Sequence, residues 1–236
     1  MEKLYFEDYS NVTKEKSIER QICRQAANFY QQKLFSNDGS HALHYHLELE
    51  YEISVENALD FEIGFAPKRA GELTEYLIEH GFSEQDLAKS SLFEFDENKG
   101  LQEVFQNRLV VPIRDEYGNY IGFCGRTFEE NKPKHLISSN SPAFSNKDHL
   151  FGLNFAYDQE QLILCEGYMD VIKLAEEDIA AVSTFGTLLS CEQVALLKKY
   201  TNKVFVNFEG DAAGARFCAH ALELLIEAGL SVDIIT

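Results

Sequence analysis

The chain has 236 residues, 45% hydrophobic and 25% charged, with a formal net charge of −18. It can bury a core in one or two domains, no apolar run approaches the ~20 residues of a membrane helix, and the N-terminus lacks the apolar segment of a secretory signal, so a cytoplasmic location is expected. Five scattered cysteines without a C-x-x-C pair encode neither a disulfide framework nor a zinc ribbon.

Residues 12 to 35 read as a helix, with Ile18, Ile22, Ala26, Phe29 and Tyr30 near helical spacing. Ser36-Asn37-Asp38-Gly39-Ser40 ends it, and a weaker helical stretch follows from His41 to Leu49. His41, His44 and His46 fit no complete metal site. Ser54 opens a short helix, Leu73 to Glu79 form another closed by His80-Gly81, and Ser83 starts a third through Leu87.

From residue 104 the period changes. Leu109 to Ile113 and Tyr120 to Phe123 are strand-like around Asp115-Glu116-Tyr117-Gly118-Asn119, a hairpin signal. Residues 129 to 149 have little periodicity and read as a functional loop region. The last third alternates, with strands near 161–165, 179–183, 203–208 and 231–235 and helices near 168–177, 190–200 and 213–228. Ser190-Cys191-Glu192-Gln193 matches a capping box, and Gly229 suits a helix C-terminus. Strands separated by single helices imply a parallel βαβ sheet.

Two apolar runs stop at a carboxylate followed by glycine: Leu162 to Cys165 before Glu166-Gly167, and Val204 to Phe208 before Glu209-Gly210-Asp211. Ligands in open α/β sheets bind beyond the carboxyl ends of the strands, which would gather Glu166, Glu209 and Asp211 on one rim. Three acids so close hold protons or a cation, and hard oxygen donors suit Mg²⁺. Asp170 is expected to buttress these ligands. The net charge argues against tight duplex binding. It is unevenly spread, however: residues 105 to 149 carry 6 Lys/Arg against 5 Asp/Glu, whereas residues 150 to 236 carry 5 against 13.

Glu166-Gly167-Tyr168-Met169-Asp170 resembles the E-G-Y-x-D signature of the Toprim fold in bacterial DnaG-type DNA primases. Phe105 to Asp115 is similar to that family's F-x-x-R-hydrophobic-x-x-P-I-x-D segment, and Gly122-Phe123-Cys124-Gly125-Arg126 to its G-F-x-G-R. Pro133-Lys134-His135-Leu136 resembles P-K-Y-L, Leu150 to Ala156 resembles L-Y-G-L-x-x-A, Ala58 to Pro67 includes an F-x-I-G-x-A-P-like stretch, and Ser183 to Thr187 is similar to S-x-G-T.

The resemblance implies an α/β chain with a mixed α+β N-terminal subdomain over residues 1–157 and a Toprim subdomain over 158–236, the family's tail lying beyond the last residue. It implies a primase core that makes short RNA primers on single-stranded DNA from ribonucleoside triphosphates by Mg²⁺-dependent nucleotidyl transfer. Mn²⁺ is an alternative metal, no zinc is expected, and contacts with a replicative helicase would come through other regions of the family. Glu166, Glu209 and Asp211 match its catalytic acids, and Arg108, Arg126, Lys134 and Lys147 match basic positions for template or triphosphate. Glu209 stands where the family has aspartate. The alternative expectation is therefore a weakened relative that binds nucleic acid, nucleotides or replication proteins.

Overall fold

A computed structural model describes residues 2–44, 47, 51–156, 159–208 and 210–235, with side chains from Thr13 onward. The chain divides into two compact units: residues 1–113 with 120–145, and residues 114–119 with 146–236. The segment 146–156 packs with the second unit.

In the first unit the long helix α1 (Glu2–Leu34) is followed by α2 (Val55–Asp60), strand β1 (Gly64–Ala66), α3 (Glu72–Glu79) and α4 (Glu84–Leu87). A hairpin of β2 (Phe93–Asp96) and β3 (Gly100–Glu103) leads to β4 (Arg108–Arg114), β5 (Tyr120–Thr127) and β6 (His135–Ile137). The main sheet runs β1-β4-β5-β6, with β1 antiparallel to β4 and β6 antiparallel to β5.

The apolar stripe of α1 covers this sheet: Ile22, Ala26, Phe29 and Tyr30 are each at most 6% exposed, and Ile18 packs beside them. Tyr30 meets Phe123 of β5 edge-on, with ring centroids 5.5 Å apart, a geometry that sets a positive ring edge against a negative face. Helix and strand approach so closely at Gly64 that a Cβ there would lie 2.5 Å from Tyr30 backbone carbon. Two of the short helices begin as their sequences indicate. Ser54 Oγ accepts from Asn57 N at 3.1 Å, and Ser83 and Asp86 cap α4 reciprocally.

Sequence and structure differ in three places here. The hairpin β2–β3 and strand β1 have no counterpart in the periodicity reading, and β6 lies inside the segment read as loop. The helical stretch 41–49 falls partly outside the described residues, as does His46, while residues 40–44 turn helically.

The second unit alternates β7 (Gln161–Cys165), α5 (Tyr168–Ala175), β8 (Ala181–Ser183), α6 (Cys191–Leu197), β9 (Lys203–Asn207), α7 (Ala212–Glu227) and β10 (Ser231–Ile234). Its sheet is parallel, ordered β10-β9-β7-β8. The mixed α/β class expected from sequence is the one observed. Leu162, Leu164, Val204 and Val206 from the central strands are at most 1% exposed, packed with Leu197, Ala221 and Leu225 from α6 and α7. Among the described residues no helix is long and apolar enough to cross a membrane.

Candidate functional site

Glu166 follows the last residue of β7. Because Cys165 pairs in register with Asn207 at the end of β9, residue 166 stands level with residue 208, and the two acid-bearing turns leave the same end of adjacent parallel strands. Glu166 Oε2 is buried. Its carbonyl accepts from Gly186 N at 2.8 Å, so the loop after β8 holds the turn from the other side. That loop is strained: Phe185 has φ 62° and Gly186 φ 74°, left-handed conformations that cost a non-glycine residue energy. Ser183-Thr184-Phe185-Gly186-Thr187 was visible as a motif, but its grip on Glu166 was not.

Asp170 lies in the first turn of α5, where Oδ2 accepts from Gly167 N at 3.2 Å. It thereby closes the turn that carries Glu166 and complements the helix dipole. A Cβ at Gly167 would sit 3.0 Å from that carboxylate oxygen. Cys165, wholly buried beside the turn, has its thiol pushed up to about 12 by desolvation and then by the charge of Asp170, so it is inert at neutral pH.

Asp211 is the N-cap of α7: Oδ1 accepts from Ala213 N at 2.9 Å and Gly214 N at 2.7 Å. Both bonds use one oxygen, and Oδ2 has no hydrogen bond among the described residues. Glu209 lies outside the described residues. Carboxylates issuing from neighbouring strand ends are a donor set that fits a hard divalent cation such as Mg²⁺. No group of three His, Cys, Asp or Glu side chains able to hold a metal occurs among the described residues.

The basic positions separate. Arg108 is 3% exposed and donates through Nη1 to the carbonyls of Pro133 at 2.9 Å and Lys134 at 3.5 Å. It anchors the segment that presents Lys134. Arg126 and the exposed Lys132 and Lys134 line a cleft of about 400 Å³ in the first unit, together with Tyr51, Phe128 and Glu130. Arg126 lies over the Tyr51 ring, 5.1 Å from its centroid, and donates from Nη1 to His135 Nε2 at 2.7 Å.

Glu129 in this cleft pairs with Lys132 at 2.7 Å and accepts from Asn107 Nδ2 at 2.6 Å; these bonds hold its carboxyl below the usual range. Lys147 belongs to the second unit and is exposed. Its carbonyl accepts from Ser190 Oγ at 2.6 Å, and buried Gln193 donates to the carbonyls of Asn146 and His149 at 2.9 and 2.7 Å. The capping box of α6 was legible, and its second task, tethering the segment around Lys147, was not.

Comparison with known proteins agrees with this architecture. Residues 29–157 match the model of the DNA primase catalytic core, N-terminal domain, and residues 163–236 match the Toprim-like model. The DNA primase of Clostridium acetobutylicum is 34% identical over 215 residues, covering 89% of this chain and 35% of the relative. That of Aquifex aeolicus is 38% identical, covering 74% and 36% respectively. The chain thus spans about a third of the length of these relatives. Among solved structures, a DnaG primase catalytic domain bound to single-stranded DNA superposes with a TM-score of 0.86 at 29% identity, covering 94% of this chain and 74% of that one. With the N-terminal model covering more than half of its residues and a Toprim-like sheet completing it, the chain belongs to the bacterial DnaG-type DNA primase catalytic-core family.

Proposed function

We propose that this chain synthesises short RNA primers on single-stranded DNA, in the cytoplasm, by Mg²⁺-dependent nucleotidyl transfer from ribonucleoside triphosphates. The observation that carries the reading is that Glu166 and the segment leading to Asp211 leave level ends of β7 and β9, within a primase-type core. Glu166, Glu209 and Asp211 would hold Mg²⁺, or Mn²⁺ in its place. Such an ion supplies activation of a 3′-hydroxyl and neutralises charge on the departing pyrophosphate.

The protein's own groups divide the remaining work. Asp170 fixes the turn that aims Glu166 through Gly167 N. Arg126 and Lys134 in the cleft of the first unit, and Lys147 in the second, supply cations for template or triphosphate oxygens. Arg108, buried on two loop carbonyls, acts by positioning Lys134.

A second reading, a weakened relative acting as a binding module, is favoured by Glu209. Its extra methylene relative to aspartate would displace a bound metal, and a shift on the ~1 Å scale can cost about a hundredfold in rate. One assay separates the two: the protein with Mg²⁺ or Mn²⁺, single-stranded DNA and labelled ribonucleotides. Short RNA that disappears in Glu166→Ala and Asp211→Ala supports synthesis. Absence of product in the wild type and in Glu209→Asp, alongside intact oligonucleotide binding, supports the binding module.

A further inference from the structure

Arg126 is held in an unusual way for a surface cation. It sits on β5 directly across from His135 of β6, the two being register partners. Its guanidinium has an aromatic face beneath it, from Tyr51, and an imidazole nitrogen as acceptor at one corner. No carboxylate pairs with it among the described residues, although Glu129 and Glu130 line the same cleft. Arg126 Nε is buried without a hydrogen-bond partner among the described residues. A buried donor of this kind calls for an acceptor that the described residues do not provide.

We infer that His135 is a positioning residue: as a neutral imidazole it accepts from Arg126 Nη1 and, with Tyr51, presents the remaining guanidinium donors to a phosphate of single-stranded nucleic acid. A planar guanidinium with several parallel donors matches two phosphate oxygens at once, provided that its plane is fixed. Free in solvent, a long arginine loses side-chain entropy on being ordered; one already clamped loses less. The clamp needs His135 uncharged. Desolvation, and then the positive charges of Arg126, Lys134 and Arg108, lower the imidazole below its ordinary value, which keeps Nε2 an acceptor at neutral pH. A carboxylate in the place of His135 would fix the guanidinium equally well but neutralise it, whereas an imidazole leaves the charge for the ligand.

The inference rests on reading the cleft as a nucleic-acid surface, and the test keeps the two apart. Affinity of the full chain for a fluorescent mixed-sequence single-stranded deoxyoligonucleotide is measured against salt for Arg126→Gln, His135→Phe, His135→Gln and the double variant Arg126→Gln/His135→Phe, with thermal unfolding as a check on folding. Arg126→Gln is expected to weaken binding about tenfold, as for loss of a charge-assisted contact, and to make the salt slope shallower by about 0.7, the single-strand value for one phosphate. His135→Phe should weaken binding roughly threefold, His135→Gln, which retains an acceptor, should restore it, and His135→Phe should add nothing in the Arg126→Gln background. Additive losses, or no rescue by glutamine, overturn the positioning role while leaving the cleft as the binding surface. Unchanged binding in Arg126→Gln overturns both.

Discussion

Asp211 carries two demands on one carboxylate. Oδ1 caps α7 by accepting from two backbone amides, and the proposed metal would draw on the same group. Substitution can separate them, because asparagine caps a helix about as well as aspartate but lacks its charge. Asp211→Asn is expected to unfold within a few tenths of a kcal/mol of the wild type, whereas Asp211→Ala should lose about 1 kcal/mol through the missing cap. Both should lose primer synthesis. Urea unfolding and the RNA assay on the same preparations check this, and synthesis retained by Asp211→Asn would remove Asp211 from the metal set. Arg108 makes a related point: read on sequence as a contact for template or triphosphate, it is 3% exposed and spends its guanidinium on the carbonyls of Pro133 and Lys134.

At the scale of elements, the first unit depends on how closely α1 lies against β1. Gly64 makes that approach feasible, since any side chain would collide with the backbone of α1 at Tyr30 rather than with the movable end of a side chain. Gly64→Ala is expected to cost about 1–3 kcal/mol, the range for overpacking, and more if α1 cannot shift. Gly210→Ala is the matching control, because a Cβ there meets nothing within 4 Å. Chemical denaturation of the two variants should show a lowered midpoint for the first and a stability near the wild type for the second. Equal losses would show that the close packing of α1 is not what Gly64 provides.

For the whole molecule, the dominant electrostatic fact is the net charge of −18 carried with a cleft in which Arg126, Lys132 and Lys134 stand beside Glu129 and Glu130. Self-repulsion of the excess acids opposes the compact state, and added salt screens it. Phosphate binding responds in the opposite sense, because salt competes for the cations that hold the ligand. Raising salt from about 50 to 200 mM should therefore increase thermal stability while weakening single-stranded oligonucleotide binding roughly fivefold to tenfold, as for about two phosphates engaged. Thermal melts and anisotropy titrations over the same salt series test this. Affinity that does not fall with salt would exclude a phosphate-directed cleft.

What the sequence alone determined is local in origin. The stripe Ile22, Ala26, Phe29 and Tyr30, the hairpin around Asp115 to Asn119, the strands near 161–165 and 203–208 and the Ser190–Gln193 cap were all legible, the second strand to within one residue, because periodicity and capping act over a few neighbouring residues. The acid-bearing turns were legible for the same reason. Tertiary structure decided what depends on partners distant in sequence. Strands β1 and β6 have three residues each, too few to show a period, and exist by pairing with β4 and β5. Burial of Arg108 on Pro133, the hold of Gln193 on Asn146 and His149, and the seating of Arg126 between Tyr51 and His135 each join residues that no local pattern relates. A side chain's residue type records which bonds it can make, and only the packed backbone decides which partner comes within reach.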